Sequence, residues 1–232
     1  MTSRHSTAIL TLTNTGIRII ASCKETSFSG GKFNMENTKQ ASRSGFSAAE
    51  LTVCALFVAL IAVGAFIKVP IPVCPFTLQY LFTVLAGALL GAKRGSLCVL
   101  VYVILGLIGL PIFAEGGGIW YIAKPTFGYL LGFAAGSYVT GKLIERMKTL
   151  NIKGLIAANF AGLMIVYAAG MVYYYIVCNF IIDTPIGLWP LFLYCFLLAV
   201  PGDICLCILA AFLTRRLRPQ LASQGIIEGG NL

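Results

Sequence analysis

The sequence predicts an all-α, polytopic membrane protein with six transmembrane helices and both termini in the cytoplasm. Three observations predict it: an apolar composition, six long hydrophobic segments, and basic residues gathered on alternate connections. Apolar residues make up 58% of the 232 and charged residues only 11%. A soluble chain of this length has too little interior to hide that much apolar surface. None of the segments shows the strict alternation of a membrane β-strand, which leaves helices.

A helix needs roughly 20 mostly apolar residues to cross about 30 Å of hydrocarbon. The segments that qualify run from Ala48 to Ile67, Phe76 to Ala92, Ser96 to Phe113, Phe127 to Leu143, Leu155 to Phe180 and Leu188 to Thr214. The second and fourth are short and rich in glycine. Residues 48–217 therefore form the membrane domain, and 218–232 a short cytoplasmic tail.

Residues 1–47 differ in kind, being rich in Ser and Thr with Glu25 and Glu36 as their only acids. A short amphipathic stretch around Ile9 to Ile20 fits a targeting segment. The preferred reading is a polar, disordered tail or an early start, with Met35 opening the lead-in to the first helix.

Orientation follows from Lys and Arg, which collect on cytoplasmic loops. With the N-terminus inside, the tail holds Arg4, Arg18, Lys24, Lys32, Lys39 and Arg43, and the next inner loop Lys93 and Arg94. Lys142, Arg146, Lys148 and Lys153 follow, then Arg215, Arg216 and Arg218, so fifteen of the 17 basic residues lie inside. Only Lys68 and Lys124 fall outside. The net charge of +9 is thus a topology signal, and its scatter over separate loops argues against nucleic-acid binding.

Catalysis has little to work with. The sole histidine, His5, lies in the tail, and no cluster of acids or nucleophiles recurs within the spans. The eight cysteines, among them Cys54, Cys98, Cys195 and Cys205, include no CxxC pair and read as packing residues; only Cys74 and Cys178 approach the outer face. Gly136, Gly141 and Lys142 mimic a phosphate-binding loop, but Leu143 replaces the magnesium-binding hydroxyl residue and the segment ends a hydrophobic helix. Gly128, Gly132 and Gly136 instead form a ridge of small residues that admits a neighbouring helix. With no ATPase motif in the chain, active transport requires a partner or an ion gradient.

Two outer connections carry ligand-binding chemistry. The first holds Pro70, Pro72 and Pro75, then Phe76 and Gln79; its prolines fix φ and stiffen an extended segment. The second, Pro111 to Tyr121, sets Trp120 and Tyr121 beside Gly116, Gly117 and Gly118. Glycine lets backbone approach a ligand and aromatic rings wall it in, although interfacial anchoring accounts for the same residues. In the last span lies Pro201-Gly202-Asp203, an acid beside a helix breaker. Asp203 is twelve residues from Arg215, about 18 Å along a helix and slightly beyond mid-membrane. Such interruptions mark binding sites in transporters, and a structural acid satisfied by the helix break is the plainer alternative.

From Ala48 to Leu217 the chain resembles the BioY family of substrate-binding subunits of energy-coupling-factor (ECF) transporters. Ordered blocks carry the resemblance: Ala62 to Pro72, Pro75 to Gln79, Leu85 to Gly91, Gly106 to Phe113, Pro125 to Phe133, and Pro201 to Asp203. It implies a six-helix protein of the cell membrane that captures biotin with high affinity for uptake. Biotin is then the transported ligand, and no cofactor or metal is implied. The implied partners are a membrane coupling subunit and two ATPases on other chains, with Ala55 and Ala59 matching the family's small-residue contact on the first helix. A stand-alone carrier or facilitator for biotin or a related vitamin is the competing class.

For such a ligand Asp203 suits the ureido N–H groups, Gln79 or Tyr129 the ureido oxygen, and Trp120 and Phe76 the apolar rings. Many family members carry a lysine three residues after the acid, where this chain has Leu206. Lys124 or Lys68 is the available substitute for holding the vitamin's carboxylate.

Overall fold

A computed structural model describes residues 48–69, 76–182, 186–197 and 199–223. Within them the chain builds α1 (Ala48–Phe66), β1 (Lys68–Val69), β2 (Phe76–Thr77), α2 (Gln79–Leu90), α3 (Ala92–Leu107), α4 (Phe127–Glu145), α5 (Ile152–Phe180), α6 (Leu188–Phe192) and α7 (Val200–Ser223). All six predicted helices are present in the predicted order, the last as α6 plus α7. Three stretches are individually long and apolar enough to cross a bilayer: α1, α5 and Trp189–Ser223.

The differences from the sequence reading have local causes. The second span starts at Gln79, because Phe76 and Thr77 pair antiparallel with Val69 and Lys68 and fasten the base of the proline-rich connection. Its prolines and Cys74, at 70–75, lie outside the described residues. Between α2 and α3 stands one residue, Gly91, at φ +87°, a left-handed conformation that glycine adopts without steric cost. Lys93 and Arg94, expected in an inner loop, therefore sit in the first turn of α3, where Arg94 pairs with Glu50 of α1 at 3.0 Å. The third span correspondingly ends at Leu107, and the chain from Ile108 to Gly118 folds as a structured loop. At the far end α7 continues to Ser223, past Leu217.

The sixth span is interrupted. After α6 the chain makes a π-helical turn, Leu193–Leu197, and regular helix resumes at Val200. The break thus precedes Pro201, which occupies the first turn of α7, where proline's missing N–H deprives no carbonyl of its intrahelical partner.

α4 lies centrally, packed against α2, α3 and α5. Its glycine ridge meets α5: a Cβ on Gly132 would lie 2.9 Å from the Val166 carbonyl oxygen, and one on Gly136 2.9 Å from that of Gly162. At Gly132 the two nearest atoms are backbone, which cannot yield as a flexible side chain can, while Gly136 also meets the Val166 side chain. Gly132→Leu is therefore expected to destabilise the bundle by about 1 to 3 kcal/mol through overpacking. Thermal unfolding in detergent measures it; an unchanged midpoint would show that the two helices can separate at no cost.

Candidate functional site

The helix break creates the site. It places the N-terminus of α7 inside the bundle with Asp203 in its first turn, near the partial positive charge of the unpaired N–H groups. Asp203 is only 8% exposed, its backbone N–H donates to the Ala199 carbonyl, and its Oδ2 accepts from the Tyr167 hydroxyl of α5. Burying a carboxylate in an apolar bundle is costly, and this hydroxyl together with the helix end offsets part of that cost.

Above Asp203 opens a cavity of about 740 Å³, counting its open mouth. Aromatic rings form much of its wall. Tyr129 stands edge-on to Tyr167 at 6.4 Å, Tyr167 edge-on to Phe196 at 5.0 Å, and Tyr80 lies against Phe133 at 6.4 Å. Tyr80 is fixed from behind, its hydroxyl donating to the Asn159 carbonyl at 2.8 Å, while the Asn159 amide donates to the Cys207 carbonyl at 2.9 Å.

Two polar atoms reach this apolar space without a proper hydrogen bond among the described residues: the Gln79 amide nitrogen and the Thr126 hydroxyl. Gln79 is 3% exposed, and its amide nitrogen makes no hydrogen bond to the described residues around it. Buried polar groups left open in this way cost stability unless a ligand or water satisfies them. The cavity thus presents an acceptor in Asp203 and donors in Gln79 and Thr126, across a mainly apolar gap.

The mouth is covered by the loop between α3 and α4. Gly116 and Gly118 adopt φ of +108° and +102°, and Gly117 packs against the Leu110 carbonyl too closely for any side chain. Gly118 N–H donates to the Gly106 carbonyl at 2.7 Å, tying the loop to the end of α3. The triple glycine folds the loop; it does not line the cavity, contrary to the expectation of direct ligand approach. Ala114, Glu115 and Tyr121 line it instead. Tyr121 packs on Phe113 with ring centroids 4.5 Å apart, whereas Trp120 is 86% exposed and points away. A five-residue 3₁₀ turn, Ile119–Ala123, puts these neighbours on opposite sides, so Tyr121 takes the wall position expected of Trp120 and Trp120 is left as a surface anchor.

Lys124 does not enter the cavity either. Its ammonium pairs with Glu115 at 2.9 Å and lies 5.0 Å from the Tyr121 ring centre, at the rim. Lys68 donates to the Ala114 carbonyl at 3.1 Å, so both lysines hold the covering loop. Of the other expected residues, Asp203, Gln79 and Tyr129 converge on the cavity, and Leu206 is buried one turn beyond Asp203. The Phe76 side chain lies outside the described residues. Ala55 and Ala59 are exposed on the outward face of α1. Sequence reasoning missed Tyr167, Thr126 and Glu115; Tyr167 left one clue, a hydroxyl-bearing residue in the middle of an apolar span. The described residues hold no cluster of potential metal ligands.

Compared with known proteins, the sequence profile of the BioY family matches residues 35–223. The chain belongs to the BioY family. A probable biotin transporter BioY of Lysinibacillus sphaericus is 46% identical over 171 residues, 74% of this chain and 87% of the relative. A biotin transporter BioY of Thermotoga maritima is 44% identical over 123 residues, 53% of this chain and 72% of the relative. A crystal structure of the S-component for biotin from an ECF-type ABC transporter superposes with a TM-score of 0.64 at 29% identity, covering 74% of this chain and 91% of that one. The BioY match reaches beyond the blocks legible by eye at both ends. It makes this chain a transport component of the cell membrane and not an enzyme.

Proposed function

We propose that this chain captures biotin with high affinity in the cavity above Asp203 and delivers it inward as the substrate-binding subunit of an ECF-type importer. The observation that carries the reading is the pairing of a buried acceptor, Asp203, with open donors, Gln79 and Thr126, between aromatic walls. The ureido ring of biotin has the complementary pattern of two N–H donors and one carbonyl acceptor, and its thioether ring suits Tyr129, Tyr167 and Phe133. The valerate carboxylate then reaches the mouth, where Lys124 exchanges Glu115 for the ligand. That exchange supplies the cation which the family resemblance implies at the position of Leu206.

The charge distribution supports both termini inside, so the cavity opens outward. Asp203→Asn keeps the shape and substitutes a neutral amide for a charged acceptor. Such bonds contribute about 1.5 to 3 kcal/mol, so biotin affinity is expected to fall roughly ten- to a hundredfold or more. Calorimetric titration of monodisperse variant measures it; unchanged affinity removes Asp203 from the ligand site.

The exposed pair Ala55 and Ala59, four residues apart, lets a partner helix approach α1 closely. Ala59→Phe should abolish biotin uptake that depends on the coupling subunit and ATPases while leaving binding to the isolated chain intact. Uptake that persists without those subunits would instead identify a self-sufficient carrier.

A further inference from the structure

At the end of the bundle opposite the ligand cavity, a second cavity of about 1160 Å³, including its mouth, opens between the α2–α3 junction, the last turns of α4 and the end of α7. Its charged lining is Lys93, Arg94, Lys142, Glu145 and Arg218. Both Glu145 oxygens are engaged: Oε1 accepts the Ala92 N–H at 2.7 Å and Oε2 lies 3.6 Å from Lys142. Arg94 is matched by Glu50. Four cations thus face two carboxylates; Glu145 also acts through space on Arg218, and positive charge is left over across the lining.

Arg218 is the telling residue. It is 8% exposed, has no carboxylate within ion-pair distance among the described residues, and makes one hydrogen bond there, from Nη1 to the Ala88 carbonyl at a long 3.5 Å. A guanidinium buried beside open space with so few partners is poorly compensated, and a planar fork of N–H donors matches the oxygens of a phosphate. We propose that this cavity binds a phosphate-bearing anion, supplied in the membrane by the headgroup of an anionic phospholipid. Three features favour the lipid as source. The cavity lies at the basic end of the bundle, where anionic headgroups meet interhelical pockets. Tyr138 stands partly exposed at its rim. From Lys93 an exposed apolar stripe continues along the same face of α3 through Leu97, Leu100 and Ile104, a track for an acyl chain below a headgroup held at the lysine.

The test is native mass spectrometry of the full chain in detergent with phosphatidylglycerol or phosphatidylcholine added, together with thermal unfolding in inorganic phosphate. Wild type should retain one phosphatidylglycerol in preference to phosphatidylcholine. Loss of one charge-assisted contact should weaken that retention about tenfold in Arg218→Gln. The double variant Lys93→Gln, Lys142→Gln should weaken it as well while leaving capture in the opposite cavity unchanged, and it carries the test if Arg218→Gln does not fold. Stabilisation by inorganic phosphate that the double variant loses, without lipid preference, upholds the anion site and makes soluble phosphate its occupant. Equal retention of both lipids with no effect of phosphate, or phosphatidylglycerol retention untouched in the double variant, overturns the proposal.

Discussion

Keeping a carboxylate inside a membrane bundle is the constraint on which the ligand site depends. Asp203 stays there because the sixth span is broken before it, so that α7 begins within the bundle: the carboxylate lies in the first helical turn, near the positive end of the helix dipole, and accepts from the Tyr167 hydroxyl. In a continuous helix the positive end of the dipole would lie elsewhere, and the acid would keep the hydroxyl alone. Phe196, at the break, packs edge-on against Tyr167, which forms the aromatic wall beside the acceptor.

The cavity also needs walls that reach it and a cover that does not fill it. α2, with 12 residues, rises only about 18 Å, which leaves space at the mouth. The loop between α3 and α4 occupies the edge of that space, held by Gly118 to Gly106, Tyr102 to Ile112 and Lys68 to Ala114. Small residues on α4 bring α5, and with it Tyr167, close enough to face Asp203. Packing glycines that do not themselves line the cavity therefore set the distance between the groups that would hold the ligand.

The fold was largely legible because apolar length is a strong signal in a membrane chain, and Asp203 stood out because an acid at membrane depth is rare, whereas Gln79 and Tyr129 were singled out by the chemistry of the ligand that the resemblance implies. Other features depend on the direction of a side chain, which composition does not encode. Trp120 and Tyr121 are adjacent and chemically alike, and only the 3₁₀ turn decides which faces inward. The triple glycine read as room for a ligand but serves the loop's own backbone. Lys93 and Arg94 looked like an inner loop because a reversal at one glycine, Gly91, leaves no polar linker to see.

The central claim is that the cavity above Asp203 is a biotin site, and the identity of its natural occupant tests this most directly. Chain purified from cells grown with biotin, exchanged into clean detergent and denatured, should release biotin in near-equimolar amount by quantitative mass spectrometry. A different small molecule released in that amount, with biotin absent, would contradict the account.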